Sequence, residues 1–276
     1  MNHFEKTWIA PDGLDTYCQG WQPEAEIRAA VCLIHGLGEH SSRYAYVAER
    51  LGQGGFALIG ADLRGHGKSA GARGHIASPT VYLDHIDRLL KEAGRQFPGL
   101  PLFLYGHSLG GILALFYTLK RQPELAGAVI TSPGLRTALE AQKFKIFLAK
   151  TMGALTPTVR LPTGLDADKI SRDPEIVSRY KSDPLVHDQA SFAMAKYTLE
   201  MIPWIYEHAS ELELPLLVMH GTADEIAYAR GSEELAAKIG PNCTLKLWDG
   251  LYHETHNEPE KEQVWDFMTT WLEEHL

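Results

Sequence analysis

The sequence predicts a doubly wound α/β sheet, and three observations carry that prediction. Short apolar runs alternate with longer segments of helical spacing along most of the 276 residues. The runs are apolar almost throughout, as strands covered on both faces must be. One of them passes into a helical segment through Gly106-His107-Ser108-Leu109-Gly110, a tight strand-to-helix turn.

In order, residues 3–9 and 14–21 read as a strand hairpin about the turn-forming Pro-Asp-Gly at 11–13. Buried strands are expected at 29–35 (AAVCLIH), 57–62 (ALIGAD), 102–106 (LFLYG) and 128–132 (AVITS). Helices are expected between them at 44–52, 81–97 and 109–121. The alternation resumes with strands at 215–220 (PLLVMH) and 244–248 (TLKLW), followed by helices at 229–239 and 260–275. From 134 to 206 the rhythm breaks: no buried strand is evident, a helical stretch opens the interval at 137–152, and Pro157, Pro162 and Pro174 punctuate it. So long a connection inside a compact domain is usually functional. The expected organisation is therefore a core of 1–133 and 207–276 with a helical lid at 134–206.

Composition narrows the partners. With 26 basic against 35 acidic side chains the net charge is −9, which disfavours a nucleic-acid phosphate backbone. The first residues, MNHFEKTWIAPDG, lack the apolar segment of a secretory signal, and no run approaches the ~20 apolar residues of a membrane span. A cytoplasmic protein is expected. Cys18, Cys32 and Cys243 lack metal-ligand spacing, and Cys32 reads as a small core residue. Gly67-Lys68-Ser69 resembles the end of a phosphate-binding loop, but Asp62 stands where that loop needs its first glycine. His253-Glu254-Thr255-His256 is one residue short of the H-E-x-x-H zinc spacing. Neither metal nor cofactor is predicted.

The chemistry is expected at Ser108. G-x-S-x-G alone is weak, arising by chance in roughly one chain in ten of this length. Here it sits where a strand must reverse into a helix, leaving the serine exposed at the apex beside the helix amino terminus. A serine hydroxyl needs a base, and in this α/β-hydrolase plan the acid and then the histidine follow it in sequence. Asp224 follows the strand ending at His220, and His253 follows the strand ending at Trp248. Active groups of open α/β sheets gather at such carboxyl ends, so Ser108, Asp224 and His253 are the expected triad. His256 and Asp249 stand nearby as rivals for the last two places. His35-Gly36-Leu37-Gly38 closes an earlier strand, and the N–H groups of Leu37 and Leu109 are the expected oxyanion donors. No substrate-binding side chain is assigned.

Longer stretches resemble a known family, that of monoacylglycerol lipases and lysophospholipase-like hydrolases. His35-Gly36-Leu37-Gly38-Glu39-His40-Ser41-Ser42-Arg43-Tyr44 resembles its H-G-x-G-E-H-S-x-R-Y segment. Residues 62–69 are similar to its D-x-R-G-H-G-x-S turn, and 106–111 to its G-H-S-[LM]-G-G elbow. Ser182-Asp183-Pro184-Leu185 resembles a segment of its cap, and residues 220–224 and 252–256 fall where its acid and histidine stand. The similarity runs from about residue 12 to the carboxyl end. It implies about eight strands, a helical cap at the insertion, and single-chain glycerol esters as substrates. Its animal members carry a cysteine shortly after the acid, where this sequence has Ala227.

The resulting expectation is hydrolysis of monoacylglycerol through an acyl-enzyme. A broader carboxylesterase or lysophospholipase, a carbon–carbon bond hydrolase and a non-catalytic binding protein of the same fold remain alternatives, while Ser108 at the elbow speaks against dehalogenase chemistry. Leu139, Phe144, Phe147, Leu148, Met152 and Leu155, interleaved with Lys143, Lys145 and Lys150, either pack the insertion onto the core or form an apolar entrance that touches micelles or membranes.

Overall fold

Strand β1 (Asn2–Ile9) pairs antiparallel with β2 (Asp15–Gln22), from Asn2 opposite Gln22 to Ile9 opposite Asp15. The computed structural model describes residues 1–10 and 12–276, without the side chain of Lys145. Pro11 of the expected turn and the Lys145 side chain of the expected apolar entrance therefore lie outside the described residues.

Beyond the hairpin come β3 (Ala29–Ile34), α1 (Ala45–Gln53), β4 (Phe56–Ala61), α2 (Pro79–Gln96), β5 (Leu102–His107), α3 (Leu109–Arg121) and β6 (Gly127–Thr131). Helix α2 starts two residues ahead of the expected position, because apolar spacing begins at Val81 whereas Pro79 supplies the preset first turn. Helix α3 ends where Gln122 adopts a left-handed conformation, φ 45°, and donates its N–H to the Thr118 carbonyl.

The interval after β6 contains α4 (Lys143–Leu155), β7 (Arg160–Pro162), α5 (Pro174–Ser182), β8 (Gln189–Ser191) and α6 (Phe192–His208). Strands β7 and β8 pair antiparallel, Arg160 opposite Ser191. They escaped the sequence reading because three residues carry no periodicity. Pro174, read as punctuation, is the first residue of α5, and the Asp173 side chain caps that helix by accepting the Glu175 N–H. Helix α6 runs through Pro203 to His208, two residues past the expected boundary at 206.

The chain closes with β9 (Leu216–Gly221), α7 (Arg230–Ile239), β10 (Cys243–Trp248) and α8 (Lys261–Glu274). The main sheet has eight strands in the order β1-β2-β4-β3-β5-β6-β9-β10, and only β2 runs against the rest. Two apolar layers hold it. In β3, Ala30, Cys32 and Ile34 face the layer built with α2, α3 and α7, while Ala29, Val31 and Leu33 face the one built with α1 and α8. Each fully buried Val, Leu or Ile in such a layer contributes about 1.5–3 kcal/mol.

Neighbouring β3 and β5 continue to opposite sides of the sheet, β3 through α1 to β4 and β5 through α3 to β6. Their carboxyl ends therefore open a crevice. The loop carrying Leu37 and the turn carrying Ser108 both leave from it.

The segment before α6 is tied across this crevice. The His187 N–H donates to the Gly38 carbonyl (2.9 Å) and the Ser191 N–H to the Gly74 carbonyl (2.8 Å). Both glycines have positive φ, and a Cβ on either would lie 2.2 Å from the His187 oxygen or 1.9 Å from the Gln189 oxygen. His40 adds a hydrogen bond to Asp183 (3.0 Å).

Candidate active site

Ser108 sits between β5 and α3 at φ 53°, ψ −114°, a conformation that ordinary side chains avoid and that functional turns hold under strain. Its flanking glycines make the turn feasible. A Cβ at Gly106 would lie 2.5 Å from the Gly110 oxygen, and one at Gly110 would lie 2.0 Å from the Ile34 oxygen of the adjoining strand.

The structure brings together the three groups expected from sequence. His253 Nε2 lies 2.9 Å from Ser108 Oγ, and His253 Nδ1 lies 2.7 Å from Asp224 Oδ2. Nδ1 facing a carboxylate carries the proton, so Nε2 is free to accept one from the serine hydroxyl. Asp224 is held from its own loop, where Oδ1 accepts the N–H groups of Ile226 (2.8 Å) and Ala227 (2.9 Å). Burial works against the Asp224 charge, but His253 and His220 hold its carboxyl well below the usual carboxylate range. Burial likewise disfavours imidazolium at His253; the charge and hydrogen bond of Asp224, with Glu254 and Glu39, outweigh it and raise the imidazole above its ordinary value.

The rivals are placed elsewhere. Buried His256 stacks on Tyr44, ring centroids 5.3 Å apart, and burial pushes it down to about 4. Asp249 accepts from Thr222 at 3.2 Å on an exposed loop.

The loop expected to hold the oxyanion is shaped by a carboxylate. Glu39 folds back so that Oε1 accepts the Gly36 N–H (2.6 Å) and the Tyr44 hydroxyl (2.9 Å). Gly36 then lies against the elbow, where a Cβ would sit 3.3 Å from that of Ser108. Among the described residues, the N–H groups of Leu37 and Leu109 have no backbone acceptor.

Sequence reasoning left the side chains behind this arrangement unassigned. Arg43 reaches Glu39 (2.5 Å) and grips both oxygens of Glu254 (2.8 Å each), 211 residues away, while its guanidinium lies 4.7 Å from the Tyr180 ring in α5. All three charged groups are almost wholly buried. Glu254 follows His253, so one guanidinium joins the loop of Leu37, the loop of His253 and the insertion. The E-H-S-x-R-Y stretch marked two members, but no local pattern links them to Glu254.

Above Ser108 and His253 a cavity of about 450 Å³ runs beneath the insertion, lined by Leu139, Leu161, Phe192, Met194, Leu199 and Ile202 among others. Among the described residues, no cluster of three or more His, Cys, Asp or Glu is arranged to hold a metal ion.

Fold and site together define an α/β-hydrolase with a serine at its nucleophile elbow. The model of the family described as Serine aminopeptidase, S33 (Hydrolase_4) matches residues 25–260. A monoacylglycerol lipase of Mycolicibacterium smegmatis is 35% identical over 274 residues, 99% of this chain and 98% of that one. The crystal structure of a monoacylglycerol lipase from Paleococcus ferrophilus superposes with a TM-score of 0.85 at 34% identity, both chains covered over 100%. An uncharacterized abhydrolase domain-containing protein of Dictyostelium discoideum is 36% identical over 93% of this chain, which spans only 27% of that protein's length. The chain belongs to this hydrolase family as a monoacylglycerol lipase-like member, within a class of carboxylic ester hydrolases.

Proposed function

We propose that the chain hydrolyses monoacylglycerols by two acyl transfers, with Ser108 as nucleophile, His253 as general base and acid, and Asp224 as the group that orients it. The observation that carries this reading is the continuous relay from Ser108 Oγ through His253 to Asp224, at 2.9 and 2.7 Å, opening beneath an apolar cavity. Ser108 Oγ attacks the ester carbonyl while its proton passes to His253 Nε2. The N–H groups of Leu37 and Leu109 hold the resulting oxyanion, each contributing about 2.7–4 kcal/mol to the transition state. Collapse expels glycerol with the proton from His253, and a water activated by the same imidazole then releases the fatty acid.

Residues 134–206, continued by the end of α6, act in this proposal as the cap that walls the acyl site. The apolar side chains of α4 favour transient contact with a lipid surface. Phe144, Phe147 and Leu155 are 75%, 65% and 72% exposed, flanked by exposed Lys143 and Lys150. Among the described residues no helix is long and apolar enough to cross a membrane. A cytoplasmic protein that visits lipid surfaces, without nucleic-acid partners, completes the reading.

The family description names an aminopeptidase, whose substrate presents an α-ammonium group. Glu39 and Glu254 are the carboxylates lining the cavity, and Arg43 engages both, which favours esters. Turnover of 1- and 2-monoacylglycerols of C8 to C18, beside p-nitrophenyl esters, lysophosphatidylcholine and aminoacyl-p-nitroanilides, tests the assignment. Ser108→Ala is expected to abolish ester hydrolysis while the protein stays folded. Retained turnover in that variant, or faster anilide than glyceride cleavage, overturns the reading.

A further inference from the structure

Asp224 has a second histidine on it. His220, at the end of β9, is fully buried, and its Nε2 lies 3.0 Å from Asp224 Oδ2, the same oxygen that faces His253. That nitrogen also faces the Ala227 carbonyl at 2.9 Å. Two acceptors on one nitrogen require it to carry the proton, so His220 is a donor toward Asp224. Its Nδ1 lies 2.7 Å from Ser232 Oγ in α7, and a neutral ring protonated at Nε2 takes the hydroxyl proton there as acceptor. Hydrogen bonds thus run without a break from Ser232 through His220, Asp224 and His253 to Ser108.

We propose that His220 is a positioning residue for the reaction: it acts through Asp224, clamping the oxygen that orients His253, and Ser232 selects the tautomer that lets it donate. This rests on the triad reading above. Two N–H groups from the backbone fix Asp224 Oδ1, but Oδ2 is aimed at His253 only if something opposes rotation and spreads the charge on that oxygen. His220 does both. Without its N–H the charge on Oδ2 concentrates on the His253 contact, imidazolium is favoured, and less of the free base is present at a given pH. The acid limb of kcat/KM therefore moves to higher pH, while loss of aim lowers kcat.

Other titratable or charged groups face this pair as well. His107, at the end of β5, has its ring centroid 5.0 Å from that of His253, and Glu254 adjoins His253 in sequence, with Arg43 and Glu39 behind it. None of these hydrogen-bonds Asp224; among the described residues its side-chain partners are His253 and His220.

The test is the pH dependence of kcat and KM on p-nitrophenyl butyrate for His220→Leu, His220→Gln and His220→Asn, with thermal melting to follow folding. A glutamine amide places N–H where Nε2 stood, whereas an asparagine amide occupies the Nδ1 end. His220→Leu is expected to lose about tenfold in kcat, the scale of one hydrogen bond to a charged group, with KM nearly unchanged and the acid limb displaced upward. His220→Gln should recover most of the rate and the original limb, and His220→Asn should recover neither. Wild-type rate and limb in His220→Leu, or equal impairment of the folded Gln and Asn variants, overturns the proposal. Should the leucine variant fail to fold, the amide pair decides alone. Ser108→Ala, measured alongside, separates the two readings: residual turnover there rejects the triad itself, whereas its loss together with wild-type behaviour of His220→Leu rejects only the role of His220.

Discussion

Arg43 sits between two carboxylates that bury their charge only because it is present. Its charge survives burial because Glu254 and Glu39 raise its affinity for protons, and Glu254 is in turn lowered to about 2 against the cost of burial. Arg43→Met leaves Glu39 and Glu254 buried without their counter-ion. Breaking a buried pair from one side costs about 3–5 kcal/mol, and the denaturation midpoint should fall accordingly. An unchanged urea midpoint would show that water reaches the site and that the cluster is not structural. At this scale the sequence was informative wherever chemistry imposed local spacing. Ser108, Leu37 and Leu109 stand in short motifs, and Asp224 and His253 follow strand ends. Glu254 was invisible as a partner of Arg43, and His220 read only as the last residue of a strand, because contacts across the fold leave no periodic trace.

Among elements, α4 departs most from the rule that apolar faces turn inward. It packs against α6 closely enough that a Cβ on Gly153 would lie 2.6 Å from that of Lys196, yet Phe144, Phe147, Leu148 and Leu155 point to solvent. Of the six apolar residues singled out in sequence, Leu139 and Met152 are half-buried, and Leu139 lines the cavity. Packing and an apolar entrance thus divide the same stretch between them. Replacing Phe144 and Phe147 by glutamate removes apolar anchors and adds charge repelled by anionic lipid. Partition onto phosphatidylcholine–phosphatidylglycerol vesicles and hydrolysis of emulsified long-chain monoacylglycerol are expected to fall severalfold, with soluble p-nitrophenyl butyrate turned over as before. Undiminished vesicle binding would remove α4 from the proposed lipid contact. The strands of the main sheet were legible because they are apolar on both faces, and the core helices because their apolar residues recur on one side. The insertion was less so: β7 and β8 are too short to show a period, and Pro174, which suggested a break, is accommodated at the first turn of α5.

For the molecule as a whole, acidity is expected to act twice, at different pH. In the proposed mechanism His253 must be neutral to accept the Ser108 proton, and its imidazole is raised above 6.5, so kcat/KM should fall as pH drops through a value above 6.5. Folding responds lower down. Burial depresses His187 and His256 to about 4 from 6.5, so the unfolded chain takes up these protons first, and their contribution to stability is lost as pH falls from about 6.5 toward 4. Asp224 and Glu254, lowered from 3.8 and 4.5, contribute stability above those values and lose it below them. A pH-rate profile beside circular dichroism should therefore find inactive but folded, reactivatable protein near pH 5.5. Coincident loss of rate and structure would contradict the assignment of His253 as base.

The clasp from His187 to Gly38 has a consequence for how such a molecule diversifies. It fastens the far rim of the insertion beside the loop of Leu37 through main-chain atoms, which require the two glycines, with His40 and Asp183 adding a side-chain bond. The solvent-facing side of α4, with Phe144 and Phe147, can therefore change without disturbing the alignment of Ser108 and His253. In the proposed mechanism, entry of the substrate can thus be retuned apart from the bond-breaking step.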